Sequence, residues 1–233
     1  MNKKILITGA TKGIGKVIAQ NLSGEIFATG RNLSELSNFK NFFQADLSNE
    51  TDLIALGNYI EENEIDVLIN NAGCYTWANA ETQSLDDIKR IINTNLEAPL
   101  YLISRAVKSM KQKRFGRIIN IGSISGVMGE AGASIYSASK SGLIGMSKAL
   151  ALELAEYNIT INTINPGWVD TELGENSIDD SGFSKAEIIE TIPQKRFVEP
   201  IEIANLIKYL ISEEAKGLTG QSINLCAGLS VGY

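Results

Sequence analysis

Near its start the chain reads Lys4-Ile5-Leu6-Ile7-Thr8-Gly9-Ala10-Thr11-Lys12-Gly13-Ile14-Gly15: an apolar run, a turn with three glycines, then the first residues of a helical pattern. The run Lys4–Thr8 has strand length and no polar alternation, as in a strand covered on both faces. Glycine permits backbone conformations closed to other residues, and its missing side chain lets a bulky anion approach the turn. A helix starting directly after the turn offers unpaired N–H groups and its positive dipole end to that anion. The spacing is G-x-x-x-G-x-G rather than G-x-G-x-x-G. A plain strand-to-helix turn with extra glycine is the alternative; its place at the first strand–helix junction favours a pyrophosphate site.

Outward from this turn the same alternation repeats. Lys4–Thr8, Glu25–Thr29, Asn41–Ala45, Asp66–Asn70, Arg117–Gly122, Ile159–Asn165 and Ser222–Leu225 read as seven strands. Helical patterns fill the gaps at Ile14–Leu22, Glu50–Glu62, Leu85–Met110 (interrupted near Pro99), Tyr136–Ala155, Lys185–Thr191 and Pro200–Ser212. Buried strands alternating with helices predict an α/β fold, a parallel sheet with helices on both faces. Residues 1–233 read as one domain, with no repeat or linker. Gly167–Ser184 reads as irregular and follows the carboxyl end of a strand, where open α/β sheets bind ligands. It is therefore expected to form part of a substrate lid spanning residues 170–198.

Composition narrows the chemistry. The net charge of −6 and pI near 4.9 argue against a general binder of nucleic acid or anionic membrane. No apolar run reaches the roughly 20 residues of a spanning helix, and the apolar stretch Ile5–Ile7 is too short for a signal peptide. A cytoplasmic protein is expected. With no histidine and only Cys74 and Cys226, no metal site is expected, so acid–base chemistry falls to Tyr, Lys, Asp or Glu. Cys74 has no activating partner nearby in sequence and reads as packing.

The second strand ends Ala28-Thr29-Gly30-Arg31, with no carboxylate to grip a ribose 2′-hydroxyl. Arg31 offers a planar fork for a 2′-phosphate, and Lys12 adds a cation in the glycine turn. Either alone reads equally as a solvated surface charge; two flanking one pocket favour NADP(H) over NAD(H). Asp46, ending the third strand, suits either the adenine amino group or a cap on the following helix.

Tyr136 and Lys140, four apart on a predicted helix, share a face. Such a pair arises readily by chance. Its context is more specific: Ser123 follows a strand thirteen residues upstream, Asn70-Asn71-Ala72-Gly73 ends another, and Asn95 lies in the helix after it.

This ordered set, Thr8-Gly9-x3-Gly13-x-Gly15, Asp46, Asn70-Asn71-Ala72-Gly73, Asn95, Ser123, Tyr136-x3-Lys140 and Pro166-Gly167 with Thr171, resembles the short-chain dehydrogenase/reductase family over essentially the whole chain. The resemblance implies a Rossmann-type doubly wound sheet of strand order 3-2-1-4-5-6-7 and a homotetramer or homodimer. It implies Tyr136 as proton donor to a substrate carbonyl, Lys140 as the cation lowering its pKa and holding the nicotinamide ribose, Ser123 as the carbonyl's hydrogen-bond partner, and Asn95 as holder of a water leading to Lys140. It further implies a cofactor set of Gly9, Thr11, Lys12, Gly13, Ile14, Gly15, Arg31, Asp46, Leu47, Asn71, Ala72, Gly73, Tyr136, Lys140, Pro166, Gly167, Val169 and Thr171.

Within the family, Lys111–Ser123 and Gly217–Ser222 are most similar to β-ketoacyl-[acyl-carrier-protein] reductases. A wall of Tyr75, Trp77, Val127, Met128, Trp168, Leu173 and Phe183 suits an acyl or alicyclic ketone better than a sugar. Lys108, Lys111, Lys113 and Arg114 could dock an acidic carrier protein, or merely complement a helix C-terminus. Glu156-Tyr157-Asn158 and Cys226-Ala227-Gly228-Leu229 depart from the carrier-protein pattern, which keeps another NADPH-dependent carbonyl reductase in view. A sugar epimerase or dehydratase would need a substrate domain after the sheet, and a non-catalytic dinucleotide sensor would not need Ser123, Tyr136 and Lys140 together.

Overall fold

A computed structural model describes residues 2–231; Met1, Gly232 and Tyr233, the ends of the expected domain, lie outside the described residues. All seven expected strands form: β1 (Lys4–Thr8), β2 (Glu25–Gly30), β3 (Asn41–Gln44), β4 (Val67–Asn70), β5 (Gly116–Ile121), β6 (Ile159–Pro166) and β7 (Ser222–Leu225). They lie parallel in the order β3-β2-β1-β4-β5-β6-β7, with Ile5 opposite both Ile26 and Val67.

The apolar strands are explained by what covers them. Ile5 and Ile7 face a core completed by Ile18 of α1 (Gly13–Asn21) and by Ile203 and Ile207 of α10 (Pro200–Leu210). Leu6 faces the opposite core, with Leu56 of α3 (Glu50–Asn63), Leu102 of α5 (Ala98–Lys113) and Leu154 of α7 (Ser134–Leu154). Successive side chains thus enter two different cores, so both parities of position are mostly apolar, and a polar residue there needs a buried partner. Each such burial contributes about 1.5–3 kcal/mol. The short helix α2 (Leu33–Leu36) supplies Leu36 to the first core.

The expected helix over Leu85–Met110 is divided differently. α4 (Leu85–Ile92) runs into a π-helical turn, Asn93–Glu97, before α5, whose first turn accommodates Pro99. The stretch Gly167–Ser184, expected to be irregular, contains α8 (Glu172–Ser181), started by the Thr171 hydroxyl, which accepts from the Gly174 N–H. α9 (Lys185–Thr191) follows, its Ser184 cap and Glu187 forming a reciprocal box. A further turn, α6 (Ser125–Met128), follows β5.

A polar ladder holds α7 to the sheet. Asn70 Nδ2 donates to Asn120 Oδ1 at 2.8 Å, Asn120 Nδ2 to Ser147 Oγ at 2.9 Å, and Thr163 Oγ1 to the same Ser147 oxygen at 2.9 Å. These side chains are buried. The residues after β1, β4, β5 and β6 meet at one edge, where the strand order reverses between β1 and β4, and the candidate site lies there. Among the described residues no helix is long and apolar enough to cross a membrane.

Candidate active site

A cavity of about 650 Å³ runs along the carboxyl ends of the strands. Every expected catalytic and cofactor residue lines it except Gly15 and Asn95.

At one end lies the glycine turn. Gly9 and Gly13 have φ of +65° and +51°, and Lys12, at the start of α1, makes no side-chain cap, so the first N–H groups of the helix are left to a ligand. A Cβ on Gly15 would stand 2.1 Å from the Gly9 carbonyl oxygen, so only glycine fits there. The Thr8 hydroxyl, accepting from the N–H groups of Asn71 and Ala72 at 2.9 Å each, clamps the end of β4 to β1. Asn71 Nδ2 returns a bond to the Thr8 carbonyl at 2.9 Å. The turn therefore has the donor set and the clearance that a pyrophosphate requires.

Beyond it, Arg31 is 74% exposed at the cavity rim, its guanidinium 3.9 Å from Asp46. Asp46 does not cap α3; Asn49 does, and the Asp46 carboxylate instead accepts from the Ser48 N–H at 2.9 Å and hydroxyl at 2.7 Å. Against the effect of partial burial, these bonds and Arg31 hold its carboxyl below the usual range. Thr171 and Glu172 close over the turn, with Lys12 Nζ 2.9 Å from the Glu172 carboxylate.

At the other end Ser123, Tyr136 and Lys140 converge. Burial pushes the Tyr136 phenol up to about 12; a hydrogen bond with Ser123 opposes the rise, and the charges of Glu130 and Cys74 add to it. Burial pulls the Lys140 ammonium down to about 8, with Cys74 opposing. Lys140 Nζ donates to the Ile121 carbonyl at 2.8 Å and stands 5.6 Å from the centre of the Tyr136 ring. In the free site, then, burial is the largest influence on both groups. α7 approaches closely enough to seat them because residue 126 is glycine, where a Cβ would stand 2.7 Å from Lys140 Cβ.

Asn95 lies in the π-helical turn, a local widening often found at functional sites. Its Oδ1 accepts from the Cys74 N–H at 2.9 Å, and its Nδ2 donates to the Cys74 carbonyl at 2.9 Å and to Ser139 Oγ at 3.2 Å. It ties the segment after β4 to the helix bearing Tyr136. A Cβ on Gly73 would stand 3.4 Å from Asn95 Oδ1 and 3.5 Å from Lys140 Nζ, so these two side chains flank the same small space.

Other expectations need correction. Of the proposed pocket wall, Tyr75, Met128, Trp168 and Leu173 line the cavity, whereas Trp77, Val127 and Phe183 do not. Trp77 packs over Gly132, and Val127 and Phe183 are exposed. Cys74 lines the cavity rather than merely packing, beside Arg90, whose guanidinium stays protonated through its bond to Asp87 with a smaller contribution from Cys74. Sequence reading missed Arg90, Ser125 and Glu130, all on the cavity wall. Ser125 and Glu130 fall between Ser123 and Tyr136, so their position was the available signal.

The basic cluster is largely matched within the chain. Lys108 pairs with Glu61 at 2.7 Å, Lys111 with Glu153 at 3.4 Å and Lys113 with Asp66 at 2.9 Å, while Arg114 donates to the Glu156 carbonyl.

Comparison with known proteins agrees with this geometry. The family model for short chain dehydrogenase matches residues 3–182. The 3-oxoacyl-[acyl-carrier-protein] reductase FabG of Salmonella typhimurium is 34% identical, covering 97% of each chain. Nodulation protein G of Rhizobium sp. is 36% identical, covering 98% of this chain and 97% of the relative. The crystal structure of YwfH, an NADPH-dependent reductase involved in bacilysin biosynthesis, matches with TM-score 0.93 at 29% identity over 100% of both chains. A putative gluconate dehydrogenase from Agrobacterium tumefaciens matches with TM-score 0.90 at 28% identity, covering 98% of this chain and 96% of that one. With the glycine turn, the strand order and the convergence of Ser123, Tyr136 and Lys140, these matches show that the chain belongs to the short-chain dehydrogenase family of NAD(P)-dependent oxidoreductases.

Proposed function

We propose that the protein is an NADPH-dependent reductase that converts the carbonyl of a 3-oxoacyl thioester to a secondary alcohol, with residues 1–233 acting as one domain. The observation that carries this reading is the single cavity joining the glycine turn, Lys12 and Arg31 to Ser123, Tyr136 and Lys140. The names of the FabG relatives support the substrate class, and that of YwfH supports the cofactor.

Bound NADPH supplies the hydride. The chain's own residues do the rest. Lys12 and Arg31 supply positive charge for the phosphates, with Asp46 and Leu47 lining the adenosine end. Asn71, Ala72, Gly73, Pro166, Gly167, Val169 and Thr171 line the same cavity and would pack along the cofactor. Tyr136 holds the proton destined for the carbonyl oxygen, and its phenol, raised to about 12, remains protonated at neutral pH as an acid must. Ser123 orients that oxygen. Lys140 holds a cation at the base of the site, and Asn95 fixes the backbone around it. Cytoplasmic residence fits this activity, as does association into a dimer or tetramer through α5 and α7, on which Leu100 and Leu152 are exposed.

The test is oxidation of NADPH and of NADH over acetoacetyl thioesters, cyclic ketones and quinones. Turnover of acetoacetyl thioesters with NADPH preferred is expected; turnover confined to free ketones or sugars overturns the substrate. That second reading, a reductase of another ketone, draws on the internal pairing of Lys108, Lys111 and Lys113, which leaves less free positive charge for an acyl carrier protein.

A further inference from the structure

Behind the reacting groups lies a hydrogen-bonded circuit built by residues from three segments. Glu130, partly buried on the cavity wall, uses both carboxylate oxygens: Oε1 accepts from the Tyr75 hydroxyl at 3.0 Å and Oε2 from the Ser125 hydroxyl at 2.6 Å. Ser125 Oγ lies 3.0 Å from Ser123 Oγ, and the Ser125 N–H donates to that same Ser123 oxygen at 3.1 Å. The Tyr75 ring meets the Tyr136 ring edge to face, centres 5.1 Å apart.

We propose that Glu130 is a positioning residue of the carbonyl-reducing centre: held between Tyr75 and Ser125, its carboxylate fixes the direction of the Ser123 hydroxyl and places a negative charge beside Tyr136. This rests on the reading of Tyr136 as proton donor. An ionised carboxylate has only acceptors, so it fixes the hydroxyl protons of Ser125 and Tyr75 upon itself. Ser125 Oγ is then left with lone pairs only, and in the free site the Ser123 hydroxyl proton turns to it, the one proton that a substrate carbonyl oxygen would take over from Ser125. The other carboxylate oxygen holds Tyr75 where its ring supports that of Tyr136. The charge acts at the same place, opposing loss of the phenolic proton.

Around Tyr136 the other polar groups are Lys140 on its own helix, Ser123 after β5, and Cys74 and Tyr75 after β4, with Arg90 of α4 beside Cys74. Glu130 adds a carboxylate to these, and its charge opposes ionisation of the phenol, so removing it has a defined sign. A phenol beside one fewer anion ionises at lower pH. Alcohol oxidation, which requires the phenolate to accept a proton, then sets in at lower pH.

The experiment compares wild type with Glu130→Gln, Glu130→Asp and Ser125→Ala. It reads the pH midpoint of alcohol oxidation and the alkaline tyrosinate absorbance of the free protein relative to Tyr136→Phe. NADPH binding by fluorescence checks that each variant is folded. Glu130→Gln is expected to move both midpoints to lower pH by about half a unit or more. Ser125→Ala and Glu130→Asp, which keep the charge, are expected to lower kcat with the midpoints within about 0.2 unit of wild type. Midpoints unchanged in Glu130→Gln, or moved equally far in Glu130→Asp, overturn the role of Glu130. Wild-type turnover by Tyr136→Phe overturns instead the reading of Tyr136 on which the proposal stands.

Discussion

Lys140 Nζ donates to the main-chain carbonyl of Ile121 at 2.8 Å, crossing from α7 to the end of β5. The cation is thereby moored to the sheet instead of to the phenol it shares a helix face with. Its buried seat has a consequence for stability. A lysine depressed to about 8 in the fold and near its usual 10.5 when unfolded loses its proton first in the folded state. Unfolding then takes up a proton between those values, so stability rises with pH across that window. Urea midpoints measured from about pH 7 to 10 are expected to rise more in wild type than in Lys140→Met. Parallel curves would remove this account of Lys140.

Arg31 is expected to set coenzyme preference in the proposed reaction. Its guanidinium is exposed and its pairing with Asp46 at 3.9 Å is long, so little is lost in turning to a phosphate. Arg31→Ser is expected to weaken NADPH binding about 10- to 30-fold, the cost of one or two charge-assisted hydrogen bonds. NADH binding should change less than about threefold on the same reasoning. Fluorescence titration of both nucleotides checks the ratio.

Glu172 competes for the same cation that a phosphate would use. The Lys12–Glu172 pair, 66% and 63% exposed, is a surface bridge of at most about 1 kcal/mol. Glu172→Gln therefore tightens NADPH binding about two- to fivefold at low salt, and the gain fades as salt is added. Equal dissociation constants at low ionic strength would show that the bridge does not restrain the turn.

Ser147 accepts from both Asn120 and Thr163 in the interior. Ser147→Ala leaves those two donors buried without that acceptor, and a loss of about 1–3 kcal/mol is expected in urea denaturation. Because the ladder anchors α7, turnover should fall along with stability, whereas coenzyme affinity at the glycine turn should not. A destabilisation below about 0.5 kcal/mol would contradict this role.

Much of the architecture was legible from local pattern. Strands covered on both faces are rich in apolar residues, and Lys4–Thr8 reads that way, as does Gly116–Ile121 around Arg117 and Asn120; Ile159–Pro166 does so least, because Thr160, Asn162, Thr163 and Asn165 are buried polar residues within it. The glycine turn was legible because Gly15 has no room for a side chain, and Tyr136 with Lys140 because four residues is one helical turn. α8 was not legible: its acidic, glycine-bounded residues carry no clear apolar stripe, and its start depends on the Thr171 cap. The π-helical turn around Asn95 shifts hydrogen bonds by one residue without a change in composition.

What remained hidden depended on residues far apart in the chain meeting across the folded surface. Lys108, Lys111 and Lys113 look like a free basic patch until Glu61, Glu153 and Asp66 arrive from other elements. Likewise nothing in the order of residues 75, 125 and 130 says that one carboxylate will hold two hydroxyls beside Tyr136. Periodicity is a property of neighbouring residues, and so the chain alone specified the strands, the glycine turn and the placing of Tyr136 and Lys140 on one helix face. Charge pairing and desolvation depend on distances through space, so the burial of Lys140, its bond to Ile121 and the raised phenol of Tyr136 came into being with the packing of α7 on the sheet.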